Sequence, residues 1–225
     1  MSFSLADISK YRDLADVQYE VHMEDWLREG WRMFASNVGS FMGITVIMIA
    51  AGIVVGLTGI GKLGLGVIIV PLAAGVGLSC LQHLRGGGFG FQDFFQGFRQ
   101  FVQLALYGLV TNIAIMVGMI LLIVPGVYLM VAYFFGWLLV ADKGIDFWRA
   151  MEVSRVVAHK RWFSLFGFLL VLMLINIIGA IPLGLGLLIT IPWTLCASTK
   201  AYHDVFDQPP RVKEPETVQP IHPGR

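Results

Sequence analysis

Charge is what this chain lacks. Only 14% of its 225 residues are charged, against about 25% in ordinary soluble domains. Six apolar runs hold no charged residue at all: Phe41–Ile60, Leu63–Leu81, Phe101–Val124, Gly126–Ala141, Trp162–Ile181 and Leu183–Thr199. A bilayer core of about 30 Å needs about 20 apolar residues per helix, with about 17 as the short limit. The runs are read as six membrane helices, and a soluble domain of this size is excluded. Cysteine is scarce too. Cys80 and Cys196 fall inside or at the ends of the second and sixth runs, where thiols serve as small hydrophobes rather than as a disulfide or metal pair.

The chemistry that is missing narrows the function. Proton-coupled transporters, voltage sensors and most ion pathways place ionisable groups inside the membrane, yet here every acid and histidine lies at a run's edge or in a tail. There is no HExxH, no GxSxG and no paired-carboxylate motif, and the histidines His22, His83, His159, His203 and His222 lack metal-ligand spacing. Residues 56–64 imitate a phosphate-binding loop, but Leu63 stands where the hydroxyl residue belongs, and the stretch is a hairpin tip rather than a strand-to-helix turn. No secretory leader is evident, since residues 1–40 carry seven acids and four bases without a short apolar core.

What is present is strongly ordered. With both ends on one side, fifteen of the sixteen Lys and Arg residues fall on that side and only Lys62 on the other. The positive-inside rule then makes both termini cytoplasmic. The outer turns are short and rich in Gly and Pro, at 58–62, 124–126 and 180–183, whereas the inner connections His83–Gln100 and Asp142–Arg161 are longer. In 146–160, Arg149, Glu152, Arg155 and His159 share one helical face and Phe147, Ala150, Met151 and Val157 the other, the pattern of a helix lying along the interface.

The expected fold is all-α and polytopic: six transmembrane helices as three hairpins, each opened by an aromatic-rich amphipathic helix (Trp26–Phe41, Phe89–Phe101, Phe147–Phe163). A three-fold internal repeat of about 60 residues is suggested by the gapless match of Gly88–Arg99 to Gly144–Arg155 and by LGLG at Leu63–Gly66 and Leu183–Gly186. The domain reading is a cytoplasmic segment over 1–40, a membrane domain over 41–206 and a disordered tail over 207–225. Pro71 and Pro192 are expected to kink their helices. Asn112 and Asn176 sit at similar depth in the first helices of units two and three, where interhelical hydrogen bonding competes with a polar pathway as their role. Gly52 and Gly56 form a GxxxG that suits internal packing better than a homodimer face. The candidate anionic-lipid or partner surface is Arg85, Arg99, Arg149, Arg155, Lys160 and Arg161.

From Leu121 onward the chain resembles a family of multi-span bacterial membrane proteins related to the membrane domain attached to some glycerophosphodiester phosphodiesterases. The likeness rests on Pro125-Gly126-Val127-Tyr128 opening a span, the acidic turn at Asp142 and the Ala150…Ser154-Arg155 helix, with Phe94-Phe95-Gln96-Gly97-Phe98 as the matching upstream element; it covers roughly 85–206. It implies a bacterial inner-membrane location and brings no activity, because the phosphodiesterase chemistry belongs to a separate soluble barrel. The expected function is therefore a non-enzymatic membrane scaffold, or a lipid- or partner-binding subunit acting at the cytoplasmic interface. The alternative is a small channel or permease for a neutral or small solute. No cofactor, metal or nucleic acid is expected; the partners are the lipid bilayer, anionic lipids, and a homo-oligomer or another membrane protein.

Overall fold

A computed structural model describes residues 21–57, 61–88 and 90–207, with the side chains of 61–65 left out of the description. The start of the N-terminal segment, the tip of the first hairpin and the tail after Asp207 lie outside the described residues. Within them the chain is helical and contains no strand. The order is α1 (Met23–Ser36), α2 (Val38–Leu57), α3 (Gly61–Leu84), a 3-10 helix (Phe91–Gln100), α4 (Phe101–Leu121), α5 (Ile123–Ala132), α6 (Gly136–Lys143), α7 (Phe147–Lys160), α8 (Trp162–Ala180) and α9 (Leu187–Phe206).

Five segments are long and apolar enough to cross a membrane: Val38–Leu57, Gly66–Leu84, Phe91–Leu121, Ile123–Lys143 and Trp162–Ala180. The chain is an all-α, polytopic membrane protein. The sixth expected span does not join that set. Residues 183–186 belong to the turn before α9, which instead runs on through Lys200, His203 and Asp204 to Phe206. Its second half is packed inside the protein, with Cys196, Ala197, Thr199, Ala201 and Tyr202 fully buried.

Each hairpin has an outer first helix and an inner second one. Only 28, 33 and 22% of the apolar windows over α2, the 3-10 helix with α4, and α8 is buried, against 50% for α3 and 44% for α5 with α6. The inner helices meet one another, α3 touching both α6 and α9. Each amphipathic segment folds back on the inner helix of the preceding unit: the 3-10 helix on α3, α7 on α5 and α6, and α1 on α9, which closes the ring. The interface helices expected from the sequence thus bury their apolar faces in protein. Trp26, Met33 and Phe34 of α1 and Ala150, Val153 and Val157 of α7 are buried, so both helices contribute to the core. Trp26 alone joins Phe168 edge-on at 5.0 Å and donates its indole N–H to Asp204 at 2.9 Å.

The upstream amphipathic segment is a 3-10 helix because its aromatic residues recur every third position. In such a helix side chains at i and i+3 eclipse, which stacks Phe95 on Phe98 and Phe98 on Phe101, ring centroids 6.4 and 6.0 Å apart. Asp93 starts it by accepting from the Gly90 N–H at 2.7 Å. The opposite face buries Phe94 and Gly97. A methyl on Gly97 would overlap the Pro71 carbonyl, and one on Gly75 would overlap the Phe94 carbonyl. The same tight crossing recurs where Gly30 of α1 meets Ala197 of α9.

Pro71 and Pro192 lie inside α3 and α9, and both helices continue through them. The inner helix of unit two, whose proline stands in the first turn of α5, breaks instead at Tyr133–Phe135. Two neighbours mend the break: Ser154 of α7 donates to the Ala132 carbonyl at 2.7 Å and accepts from the Phe135 N–H at 3.2 Å, while the Tyr107 hydroxyl donates to the Tyr133 carbonyl. Gly56 meets nothing within 4 Å, so that end of the GxxxG faces outward rather than into the protein.

These crossings set a contrast in sign. Gly97→Ala forces backbone against backbone and should cost about 1–3 kcal/mol. Gly39→Ala, at a helical position with open space, should add about 0.4–1 kcal/mol by restricting the unfolded chain. Melting of the two variants in detergent should move in opposite directions.

Candidate lipid-facing site at the charged end

The three inner helices end together, and their ends carry opposite charges. α3 is followed by Arg85, α6 closes with Asp142 and Lys143, and α9 is followed by Asp207. Arg85 grips Asp142 with two parallel bonds, Nη1–Oδ1 2.7 Å and Nη2–Oδ2 2.9 Å, and reaches Asp207 through Nε at 3.2 Å. Lys143 Nζ lies 2.8 Å from Asp207 and 3.0 Å from Asp142. The Tyr202 hydroxyl donates to Asp142 at 3.1 Å. Two cations and two carboxylates make the knot neutral, and the Asp142 side chain is only 6% exposed. The Asp142 carboxylate above all, with Asp207 beside it, raises the Arg85 guanidinium's already high pKa despite partial burial. Gly144 ends α6 in the left-handed conformation, φ 64°, which a glycine adopts without strain.

A second cluster ties α9 to α1. Asp204 takes Lys200 Nζ on one oxygen and the Trp26 indole on the other, with the His203 ring 3.6 Å away. Burial pushes the Asp204 carboxyl up, but His203, Lys200 and Trp26 outweigh it and hold it below the usual carboxylate range.

The six basic residues expected to form one surface divide. Arg85 belongs to the knot, beside a shallow depression of about 350 Å3 lined by Leu78, Gln82, Gly87 and Gln96. Arg99 is exposed in the last turn of the 3-10 helix. Arg149, Arg155 and Lys160 stand on the outward face of α7 with Glu152 and His159, and Arg161 joins α7 to α8. Arg155 pairs with Glu152 at 2.7 Å. His159 meets the Tyr128 hydroxyl at 3.3 Å, and Tyr128 stacks on Trp162. Asp146 starts α7 by accepting from the Trp148 N–H at 3.1 Å.

The nitrogens of the two amides are occupied locally. Asn112 donates to the Gly108 carbonyl of its own helix at 2.7 Å, in a contact so close that a methyl on Gly66 would lie 2.5 Å from its nitrogen. Asn176 donates to Leu172 at 2.9 Å and across the hairpin to Thr194 at 3.2 Å. Cys80 and Cys196 are free and buried where α3 meets α9, sulfur to sulfur 3.2 Å. Among the described residues no three His, Cys, Asp or Glu side chains gather as a metal site would require.

Sequence reasoning placed Asp142, Lys143, His203 and Asp204 at membrane edges as ordinary helix ends and missed the knot. The signal lay in the repeat. Each unit's inner helix ends in or just before charged residues, Arg85 after α3, Asp142 and Lys143 in α6 and Asp207 after α9, and their signs balance. A search of protein-family models, of curated proteins and of solved structures returned no match to this chain.

Replacing Arg85 by Met leaves a nearly buried carboxylate short of its bidentate partner. We expect a loss of about 1.5–3 kcal/mol, with Arg85→Met and Asp142→Asn together costing less than their sum because they share one network; denaturation in detergent measures both. For Asp204, the folded carboxyl titrates below the unfolded value near 3.9. Its stabilisation is complete above that value and is lost as pH falls through the lower, folded one. Melting temperature should therefore drop on acidification below about pH 4, and Asp204→Asn, lower at pH 7, should lose less over the same step.

Proposed function

We propose that this protein is a non-enzymatic scaffold of the bacterial inner membrane that holds anionic lipid at its cytoplasmic face. Both termini and the charged end face the cytoplasm in this reading, supported by fifteen of sixteen basic residues on that side. The resemblance of residues 85–206 to bacterial multi-span proteins points to the same membrane.

The observation that carries the proposal is the outward face of α7. Its apolar side is committed to α5 and α6, while Arg149, Arg155, His159 and Lys160 remain exposed beside an aromatic pair, Tyr128 and Trp162. Basic side chains next to interfacial aromatics suit phosphate headgroups, each contributing about 1 kcal/mol near an anionic surface. Scaffolding is favoured over a pore by the amides, since Asn112 and Asn176 spend their donors on helix carbonyls and on Thr194 in places where the helices touch.

The test replaces Arg149, Arg155, Lys160 and Arg161 by Gln and follows thermal melting as phosphatidylglycerol or phosphatidylcholine is added. We expect phosphatidylglycerol to stabilise the native protein selectively, and the variant to need at least about tenfold more of it. Equal stabilisation of both proteins would remove the proposal.

A further inference from the structure

We infer that the turn of the second hairpin, Ile120–Val124, lies in the hydrocarbon of the bilayer and does not emerge into water on the far side; acyl chains are what it meets. The turn holds no polar side chain, and its five residues are between 68 and 78% exposed. Water would solvate such a surface poorly, and Leu122 is the one residue separating α4 from α5.

Distance carries the argument further. α7 packs along α6 and α5, with Ser154 at the Ala132 carbonyl and His159 at the Tyr128 hydroxyl, 3.3 Å away. Tyr128 lies four helical positions from Val124, a rise of about 6 Å, and the two side chains with their contact add at most roughly 14 Å. Val124 is thus within about 20 Å of the α7 backbone and the tip residue Leu122 within about 27 Å, whereas a hydrocarbon core is about 30 Å thick. The outward face of α7 carries Arg149, Glu152, Arg155, His159 and Lys160, groups strongly disfavoured in hydrocarbon. With α7 held at the headgroups, the second hairpin runs out before the far surface.

Its construction suits that depth. Tyr128 and Trp162, ring centroids 6.3 Å apart, lie between the charged end of α7 and the apolar turn, the level at which aromatic residues collect. The Leu122 N–H is bonded to the Gly118 carbonyl at 3.0 Å, and Pro125 has no N–H to satisfy. Gly118 and Gly126 let the two helices touch near the tip, since a methyl on Gly118 would stand 3.0 Å from the Gly126 Cα. The five spanning segments recognised by length and composition include both arms of this hairpin; their packing against α7 makes it re-entrant. This inference does not depend on which lipid headgroup α7 prefers.

The experiment places a thiol at the turn by Leu122→Cys, with Ile123→Cys as a second variant should the first fail to fold. Purified protein is reconstituted at no more than one copy per vesicle, and an impermeant maleimide is supplied on both sides of the membrane. Gly88→Cys, in open space at the charged end, reports the rate in water, and the native chain reports the background from Cys80 and Cys196. We expect the turn thiol to react no faster than background until dodecyl sulfate is added. A permeant fluorophore attached to it should be quenched by lipids brominated on their acyl chains. Reaction at the Gly88→Cys rate overturns the inference, and so does a thiol that is neither labelled nor quenched, because protein would then be covering the turn.

Discussion

Three helices end at one point because Arg85 has two carboxylates to hold. Asp142 and Asp207 come from units two and three, and Arg85 comes from unit one, so a single guanidinium joins all three inner helices. A lone charge there would be costly to bury, but four charges of balanced sign with a tyrosine hydroxyl satisfy one another. The arrangement fixes where each inner helix stops and therefore how far the hairpins project. It also fixes the relative rotation of the helices, since fork-to-fork contact between guanidinium and carboxylate tolerates little twist.

Below the knot, close approach takes over from charge. Gly75 against Gly97 and Gly30 against Ala197 bring backbones together where larger residues would hold them apart. In a bilayer, lipid tails are as apolar as leucine, so contact area gained by small residues is what favours helix association. Unit three departs from this pattern in an instructive way. Val153 and Ser154 occupy the crossing, and Ser154 compensates by bonding the broken inner helix of unit two at both sides of its break. Two solutions to the same crossing therefore coexist in one ring.

Much of this was legible in the residues. The apolar runs gave the all-α membrane class, and residues 147–160 form α7, with Ala150, Met151 and Val157 buried and Arg149, Glu152, Arg155 and His159 exposed. The third-position spacing of Phe95, Phe98 and Phe101 was also in plain view. What the runs concealed is that apolar residues bury equally well against protein or lipid. The segment Leu183–Thr199 looked like a lipid-facing run, yet α9 extends over Leu187–Phe206 and buries much of its length beneath α1. Pairings between distant charges, such as Arg85 with Asp207, leave no local trace in a single chain. They become visible only when the repeat is laid out and the ends of its units are compared.

The docking of α1 on α9 has a consequence for biogenesis. Trp26 and Asp204 bond across 178 positions of sequence, so α1 waits for α9. Until α9 has been made, the buried indole must stay at the membrane surface or under a chaperone's protection. The protein thereby withholds its closed architecture from any chain that stops early, and quality control has an open ring to recognise.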